Sequence, residues 1–484
     1  MNYIGSMKKF IGALLLIISI GHIAAANGSS DKLFPSFSLD RLRPSVTQSN
    51  DEISVAMQKL ELLYRLVDRD FLFDIDYDAV YESMAKGLFT GLKDEYSAYI
   101  VSQEASDFSE ETSGRYGGIG AYISKHYLEY RDFSKPETYM VNITSVFPGS
   151  PAENAGLKAG DLVSHIDGEP VDDWEATEAS KNLKGEANTP VILTIVRGSS
   201  TFDVTVIRKI VNVPTVSIDH LDNGIAYLRI TQFTNSTAKQ VYDELKQFVD
   251  EGMSALVLDL RDNPGGVVDA TLSVADMFLS DAPIVNINSK NDVQDHIYRA
   301  SKGTLVPSNL PIAVLVNKGS ASASEILSGA LKDNHRATLI GSTTYGKGLI
   351  QVVSPFGDGY YTLTTSQYKT PNGNDIHKVG IPVDIEVEEP HIDEEHMEEY
   401  LLLLNSGVAK EFVEEHPEYS PENVELFIDT NVGSDPPLER DVYRIMIRRE
   451  YLLAIPFESR PIADPGYDRA LQKAIDYLND VASM

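Results

Sequence analysis

Three closely spaced serines are the residues of this chain best suited to nucleophilic chemistry. Ser320, Ser322 and Ser324 occupy alternate positions. They follow Gly319, directly after the apolar run 312–316. This pattern predicts a strand, a tight turn and the start of a helix. The first amides of a helix lack intrahelical partners and lie at the positive end of its dipole, so an oxyanion formed there is stabilised. The local pattern does not choose between the three hydroxyls.

A serine nucleophile needs a base, and Lys347 is the best candidate in the sequence. His335 is closer to the serines in the chain, but the polar segment 332–337 that contains it is typical of a loop. Lys347 stands between two glycines, which allow close approach of the backbone, and Leu349 and Ile350 supply apolar surroundings. An exposed lysine, with a pKa of about 10.4, is protonated near neutrality. Burial lowers that pKa, so a buried Lys347 supplies the neutral amine that a Ser–Lys pair requires.

A second turn that exposes backbone N–H groups is predicted at residues 261–266. The sequence there is Arg-Asp-Asn-Pro-Gly-Gly, and it follows an apolar strand predicted over 255–260. A dinucleotide-phosphate turn is a poor alternative because no Gly-x-Gly-x-x-Gly pattern follows. Strands and amphipathic helices alternate along this part of the chain, which indicates an α/β domain.

Two segments together resemble the carboxy-terminal processing (tail-specific) protease family. They are Asn-Lys-Gly-Ser-Ala-Ser-Ala-Ser-Glu-Ile at 317–326 and Thr-Tyr-Gly-Lys-Gly-Leu-Ile-Gln at 344–351. The resemblance implies that Ser322 is the nucleophile and Lys347 its general base. It implies that Gln351, one helical turn beyond the lysine, orients the lysine as the third catalytic member. Glu325 is implied to have a supporting role.

The resemblance also implies the location of the oxyanion hole and the fold of the core. In the family, one amide comes from the Asn-Pro-Gly-Gly loop and the other from the residue after the nucleophile. Here these are Gly265 or Gly266, and Ala323, and the sequence does not choose between the two glycines. The core is expected to be crotonase-like, a β/β/α spiral. The family's Leu-Asp-Pro-His-Ser-like turn is replaced by Leu-Lys-Asp-Glu-Tyr-Ser-Ala-Tyr at 92–99, a departure that bears on the helix boundaries and on any dimer contact there and leaves the predicted chemistry unchanged.

The segment 113–211 resembles a PDZ domain of the bacterial protease type. The residues that carry the resemblance are Val-Phe-Pro-Gly-Ser-Pro-Ala at 146–152, Ala-Gly-Leu-Lys-Ala-Gly-Asp at 155–161 and Ile-Asp-Gly at 166–168. A PDZ domain adds an extended chain end as a strand to the edge of its sheet. The resemblance implies that Gly118, Ile119 and Gly120 capture the terminal carboxylate with backbone N–H groups. The alternative is a β-rich packing module whose groove binds nothing.

Composition limits the functional class. The chain has 484 residues and a formal net charge of −31, which argues against nucleic-acid binding through a general electrostatic footprint. It has no cysteine, which excludes disulfides and a thiol nucleophile. No metal site and no cofactor are predicted, since no histidines are paired at metal-binding spacing on a helix.

The N-terminal residues predict export. Lys8 and Lys9 precede the apolar run 10–20, and small residues follow at 24–26, which together are typical of a cleavable secretory signal. The run is shorter than the roughly 20 residues of a membrane span, so no stable span is expected after cleavage. The predicted location is the periplasm or cell envelope.

The predicted architecture is an α/β multidomain protein with a crotonase-like protease core, an inserted PDZ domain and helical N- and C-terminal regions. In the acidic C-terminal part, helices are predicted over 394–404, 408–414, 441–453 and 467–478, with prolines, Pro421 among them, separating them. The predicted units are a signal peptide at 1–26, a linker at 27–50, a helical region at 51–112, the PDZ domain at 113–211, the protease core at 212–390 and the helical C-terminal region at 391–484.

The predicted function is that of a secreted serine endopeptidase that recruits polypeptide substrates by apolar C-termini. One alternative is a catalytically silent protein that binds peptides or other ligands on the same fold. A PDZ scaffold for assembly at the envelope is another. The sequence leaves open the physiological substrate, the formation of a homo-oligomer and the latency of the resting enzyme.

Overall fold

The computed structural model describes residues 51–483, apart from 102–109, 111–112, 127, 129–130, 291–295, 391, 394, 433–437 and 456–458. The predicted signal peptide and linker, residues 1–50, lie outside the described residues. No helix in the described part of the chain is long and apolar enough to cross a membrane.

Two helices and a short strand form the N-terminal region. They are α1 (Asp51–Asp70), α2 (Tyr77–Thr90) and β1 (Ala98–Ile100). The Asp76 carboxylate caps α2 by accepting a hydrogen bond from the backbone N–H of Ala79 at 3.0 Å. Strand β1 pairs antiparallel with residues 360–362 of the α/β core. The chain between α2 and β1 is therefore fixed against that core.

The next elements form a β-rich unit with its own hydrophobic cluster. They are β2 (Arg115–Gly118), β3 (Ala121–Ser124), β4 (Val141–Val146), α3 (Pro151–Asn154), β5 (Leu162–Ile166), β6 (Glu169–Pro170), α4 (Ala176–Leu183), β7 (Pro190–Arg197), β8 (Ser200–Ile207) and β9 (Lys209–Asn212). Strands β3-β4-β5-β7-β8 follow one another in a sheet, β6 pairs with β5, and β2 pairs with β9. Strand β3 lies at an edge of that sheet and α4 packs beside it. An edge strand beside a helix is the arrangement to which an extended peptide can add.

The α/β core contains the segments that carry the candidate chemistry. Its elements are β10 (Val216–His220), β11 (Ile225–Ile230), α5 (Thr237–Glu251), β12 (Ala255–Asp259), α6 (Val268–Asp276), β13 (Pro283–Ser289), β14 (His296–Arg299), β15 (Ile312–Val316), α7 (Ala323–Asp333), β16 (Thr338–Gly341), β17 (Leu349–Phe356), β18 (Gly359–Lys369) and β19 (Ile385–Glu386). One six-stranded sheet has the order β10-β11-β12-β15-β16-β19, parallel from β11 onward. A second, antiparallel sheet joins β1, β18, β13 and β14, with β17 paired to β18.

Both faces of the parallel sheet are covered, so its central strands are apolar throughout. Every residue of β12 and β15 is buried, as expected for parallel strands between layers of helices. Helices α5, α6 and α7 contribute to the hydrophobic cluster on one face, and residues 470–478 contribute to the cluster on the other. Successive parallel strands end at the same edge of a sheet, so the loops after β12 and β15 lie side by side.

Among the residues that the structure describes, five helices follow the core: α8 (Met397–Asn405), α9 (Val408–Glu415), α10 (Pro421–Asn431), α11 (Arg440–Ala454) and α12 (Arg469–Ala482). Pro421 lies between the two predicted helices that it was expected to separate, but it also begins α10, a helix that the sequence analysis did not predict. The first turn of a helix tolerates proline, whose missing N–H has no intrahelical acceptor in that turn. The Ser420 hydroxyl caps the helix by accepting from the Asn423 N–H at 3.2 Å. Arg261 pairs with Asp259 and with Asp468, each at 2.6 Å, and so attaches α12 to the core.

Candidate active site

The three candidate serines differ in what their hydroxyls contact. Ser320 Oγ donates to the carbonyl of Leu260 at 2.8 Å, and Ser324 Oγ donates to the carbonyl of Asn263 at 2.9 Å. Ser322 Oγ is buried and has no hydrogen-bond partner among the described residues. Two hydroxyls thus tie the serine loop to the loop after β12, and the hydroxyl of Ser322 takes no part in this attachment.

Ser322 lies immediately before α7 in a strained backbone conformation. Its φ is 55° and its ψ is −112°, a region that non-glycine residues rarely adopt. Gly265 approaches it so closely that an added Cβ would lie 2.8 Å from Ser322 Cβ and 2.7 Å from the carbonyl oxygen of Ala321. Only glycine fits at that position. Such strain is characteristic of functional sites, where the surrounding structure enforces it.

Glu325 holds the serine loop and the lysine loop together. Its carboxylate is completely buried and accepts four hydrogen bonds. The donors are the backbone N–H groups of Ser322 (2.8 Å), Gly346 (2.7 Å) and Lys347 (2.8 Å) and the Thr344 hydroxyl (2.6 Å). Burial raises the pKa of Glu325, and these hydrogen bonds act in the opposite direction. The structure thus brings Ser322, Lys347 and Glu325 into one network.

Lys347 is buried, and its environment alters its basicity. The residue is only 2% exposed, and burial lowers the pKa of its amine to about 8. The carboxylates of Asp94, Glu95 and Glu325 act against this shift, because a negative charge favours the ammonium form. Lys347 Nζ lies 4.4 Å from the centre of the Tyr96 ring.

Gln351 lies in a strand, so the prediction of a helical turn between it and Lys347 is wrong. The segment after Gly348 contains the β-branched residues Ile350, Val352 and Val353, which favour a strand, and residues 349–356 pair with β18. Gln351 Nε2 donates to Thr364 Oγ1 at 3.1 Å. Its Oε1 is buried and has no partner among the described residues. The side chain therefore has one fixed end and one free acceptor.

The two candidate oxyanion glycines differ in the use of their amides. The Gly265 N–H donates to Asn263 Oδ1 at 2.9 Å. Gly266 packs against Phe233 so closely that an added Cβ would lie 2.0 Å from the Phe233 carbonyl oxygen. Among the described residues, no acceptor is found for the N–H of Gly266 or of Ala323. The amide of Gly265 is thus engaged, whereas those of Gly266 and Ala323 are available.

The predicted carboxylate loop, 118–120, lies in the β-rich unit rather than at Ser322. The carbonyl of Ile119 accepts from the Ala152 N–H at 2.8 Å, and that of Gly120 accepts from the Phe147 N–H at 3.0 Å. Gly118 ends β2, and its backbone packs against the Tyr116 ring. Burial raises the pKa of Tyr116 to about 12, while the N–H groups of Gly120 and the next residue lower it by facing the phenol oxygen. The loop therefore presents backbone N–H groups to an oxygen atom.

Tyr368 and Tyr96 lie at the site but outside the serine and lysine segments from which the site is predicted. The Tyr368 hydroxyl lies 3.0 Å from the Ser322 carbonyl and also contacts the Lys347 carbonyl. Tyr96, whose ring centre lies 4.4 Å from Lys347 Nζ, belongs to the segment 92–99, in which the sequence predicts no site residue. The correspondence of this segment with a turn of the family was the signal that could have identified it.

Comparisons with family models and with curated proteins both find similarity to S41 peptidases and their carboxy-terminal-processing members. Residues 224–387 match the model of peptidase family S41, and residues 143–197 match a PDZ domain model. The chain is 34% identical over 366 residues to the carboxy-terminal-processing protease of Bartonella bacilliformis, covering 74% of this chain and 81% of that protein. It is 32% identical over 336 residues to a "Probable CtpA-like serine protease" of Staphylococcus aureus (strain N315), covering 69% of this chain. The match spans 65% of that relative's length.

Solved structures are also similar. One is titled as a photosystem II D1 C-terminal processing protease and is 28% identical. The aligned part covers 68% of this chain and 86% of the chain in that structure, with a TM-score of 0.40.

Proposed function

Because this chain belongs to peptidase family S41 and to its carboxy-terminal-processing proteases, we propose that it is a serine endopeptidase using Ser322 and Lys347. The observation that carries this proposal is the shared contact of both residues with Glu325. One carboxylate oxygen, Oε2, accepts from the backbone N–H groups of Ser322 and Lys347, each at 2.8 Å. A peptide- or ligand-binding protein without catalysis needs neither this link nor a strained, unpaired serine.

In the proposed reaction, Ser322 Oγ attacks the scissile carbonyl carbon while the neutral Lys347 amine takes the hydroxyl proton. The resulting ammonium then protonates the leaving amine, and water releases the acyl group from Ser322 in a second cycle. Gln351 Oε1 is a free acceptor that suits orientation of the lysine amine. The N–H groups of Gly266 and Ala323 form the proposed oxyanion hole, and each such donor contributes roughly 3–4 kcal/mol to transition-state binding.

The lowered pKa of Lys347 predicts how activity depends on pH. A base must be neutral, and the amine has a pKa of about 8. Below that pH we expect kcat/KM to fall about tenfold per unit, and above it to level off. The experiment measures cleavage of an unfolded polypeptide with an apolar C-terminus from about pH 6 to about pH 10. A pH profile of kcat/KM whose rising part is governed by a pKa near 10.4, the ordinary value of an exposed lysine, would contradict Lys347 as the base. A complete lack of cleavage would overturn the peptidase proposal in favour of a binding protein or scaffold.

Substrate recruitment is proposed to occur at the PDZ domain. Its support is the edge strand β3 beside α4, preceded by the glycine-rich loop at 118–120. An apolar C-terminus would pair with β3 while Gly118, Ile119 and Gly120 bind its carboxylate.

Masking the substrate carboxylate tests this recruitment. Hydrogen bonds to a charged group contribute about 1.5–3 kcal/mol. Amidation of the C-terminus is therefore expected to lower kcat/KM by at least about tenfold. The acid and amide forms of one peptide form the matched pair, because their cleavage sites are identical. Equal kcat/KM for the two forms would contradict recruitment through the carboxylate.

We also propose the finer organisation and location that the sequence predicts. The core at 212–390 is of the crotonase-like type, lies between the PDZ domain at 113–211 and the helical part at 391–484, and is preceded by helices at 51–112. Export to the periplasm or cell envelope is proposed from the signal-like residues 8–26.

A further inference from the structure

We propose that Tyr96 is a positioning residue that holds and covers the Lys347 amine, so that the N-terminal region completes the active site. This inference rests on the proposed role of Lys347 as the base. It assigns a function to a turn more than two hundred residues before the catalytic segments.

The contact between the two side chains is direct and enclosed. Lys347 Nζ lies 4.4 Å from the Tyr96 ring centre, within the range of a cation–π interaction. Tyr96 is 5% exposed and Lys347 is 2% exposed. The aromatic face is therefore one wall of the pocket in which the amine lies.

Hydrogen bonds fix the turn that carries this ring. Thr362 Oγ1 donates to the Tyr96 carbonyl at 3.0 Å and accepts from the Ala98 N–H at 3.0 Å. One residue along, Ser97 Oγ accepts from the Thr364 N–H at 3.0 Å. These bonds attach Tyr96 and the two residues that follow it to β18. The ring position is thus set by the core, not by the helices that precede the turn.

The same attachment reaches Gln351. The Thr364 N–H donates to Ser97 Oγ, and Thr364 Oγ1 accepts from Gln351 Nε2 at 3.1 Å. Ser97 Oγ in turn donates to Asp94 Oδ2 at 2.5 Å. The turn and the proposed lysine-orienting glutamine therefore share Thr364 as a common support. A displaced turn would disturb the contact of Tyr96 with the amine and the support of the Gln351 side chain.

The groups facing Lys347 indicate what Tyr96 contributes. Asp94, Glu95 and Glu325 favour the charged amine, and the ring face of Tyr96 favours it too. Burial outweighs them, since the lysine pKa is lowered to about 8. Burial also raises the pKa of Tyr96 above its ordinary range, so its phenol is neutral and is not a second base. The main effect of Tyr96 is therefore to exclude water from the amine.

The test compares Tyr96→Ala with Tyr96→Phe. The alanine variant admits water, so we expect the pH limb of kcat/KM to move upward by about one unit. Near neutrality we expect kcat to fall at least about tenfold, with KM within about threefold. The phenylalanine variant keeps the aromatic face, so its kcat/KM is expected to depend on pH as that of the wild type does. Tyr99→Leu is the matched control, because Tyr99 lies in β1 and its ring meets Tyr81 edge-to-face and Phe89 at a tilted angle.

Each outcome has a defined meaning. An unmoved pH limb in Tyr96→Ala overturns the inference, and so does an equal shift in Tyr99→Leu, which would indicate general loosening. A limb shift in Tyr96→Phe would overturn the role of the ring face. Thermal unfolding checks that each variant is folded, and Tyr96→Leu, which leaves a smaller cavity, replaces alanine if that variant does not fold. Failure of the proposed function is distinguishable, because it appears as an inactive wild type or an active Ser322→Ala variant.

Discussion

Replacing Ser322 with alanine is expected to lower kcat for peptide cleavage by about 10⁶-fold, the size of effect seen when a serine peptidase loses its nucleophile. The physical reason is that Ser322 Oγ is the one hydroxyl of the three without a partner among the described residues. No neighbouring hydroxyl can replace it, because those of Ser320 and Ser324 are bound to backbone carbonyls. Initial rates of cleavage of an unfolded polypeptide, followed by quantitative gel or mass spectrometry, provide the measurement.

Two control variants, Ser324→Ala and His335→Ala, and the partner variant Lys347→Ala accompany this prediction. Ser324→Ala removes a hydroxyl at an alternate position of the same run, and we expect it to retain activity within about tenfold, since a hydrogen bond of this kind contributes about 1 kcal/mol. Lys347→Ala is expected to match Ser322→Ala, and the double variant is expected to be no worse than either, because the two act as a unit. His335→Ala tests the rejected base and is expected to be active. Full activity in Ser322→Ala or Lys347→Ala would exclude the proposed pair.

Replacing Glu325 with alanine is expected to destabilise the protein by about 4 kcal/mol or more, because it removes the acceptor of several buried donors at once. Four hydrogen bonds end on this carboxylate, from Ser322, Thr344, Gly346 and Lys347. Each unsatisfied buried donor costs about 1–3 kcal/mol. Activity is expected to fall as well, since the backbone N–H groups of Ser322 and Lys347 would lose the acceptor they share, and only the contacts of the Tyr368 hydroxyl with the two carbonyls would still join these backbones among the described residues. Urea unfolding measures the first effect, and kcat at saturating substrate measures the second.

The exposed carboxylate of Asp243 is the matched control for Glu325. It lies on α5, is 54% exposed and pairs with Lys239 at 2.6 Å. Exposed pairs of this kind contribute about 0–1 kcal/mol, so Asp243→Ala is expected to unfold close to the wild-type midpoint. Glu325→Gln keeps one acceptor oxygen and is expected to lie between wild type and alanine. A Glu325→Ala variant with the wild-type midpoint and kcat would show that the buried network supports neither the fold nor the site.

These expectations combine with the Tyr96 inference into one description of the site. Glu325 fixes the backbone of both loops, and Tyr96 encloses the amine that one of them carries. The first effect concerns stability and geometry, and the second concerns the pKa of Lys347. Urea midpoints and pH profiles therefore separate the two residues experimentally.

The sequence by itself identified the serine run, the lysine and the backbone segments that present them. Local pattern suffices there, because an apolar run such as 312–316 specifies a buried strand and the glycine that follows permits a tight turn. Burial of Lys347 could be anticipated from its apolar neighbours. The membership of the chain in a protease family could be anticipated from two segments of about ten residues each.

Only the tertiary structure decided which groups are free to act. The unpaired hydroxyl of Ser322, the engaged amide of Gly265 and the strand position of Gln351 each depend on a partner elsewhere in the fold. Tyr96 shows this most clearly, because it reaches Lys347 through pairing with residues more than 260 positions along the chain. Spacing in the sequence does not encode such contacts. They arise when β1 pairs with β18 and the loops after parallel strands meet at one edge of the sheet.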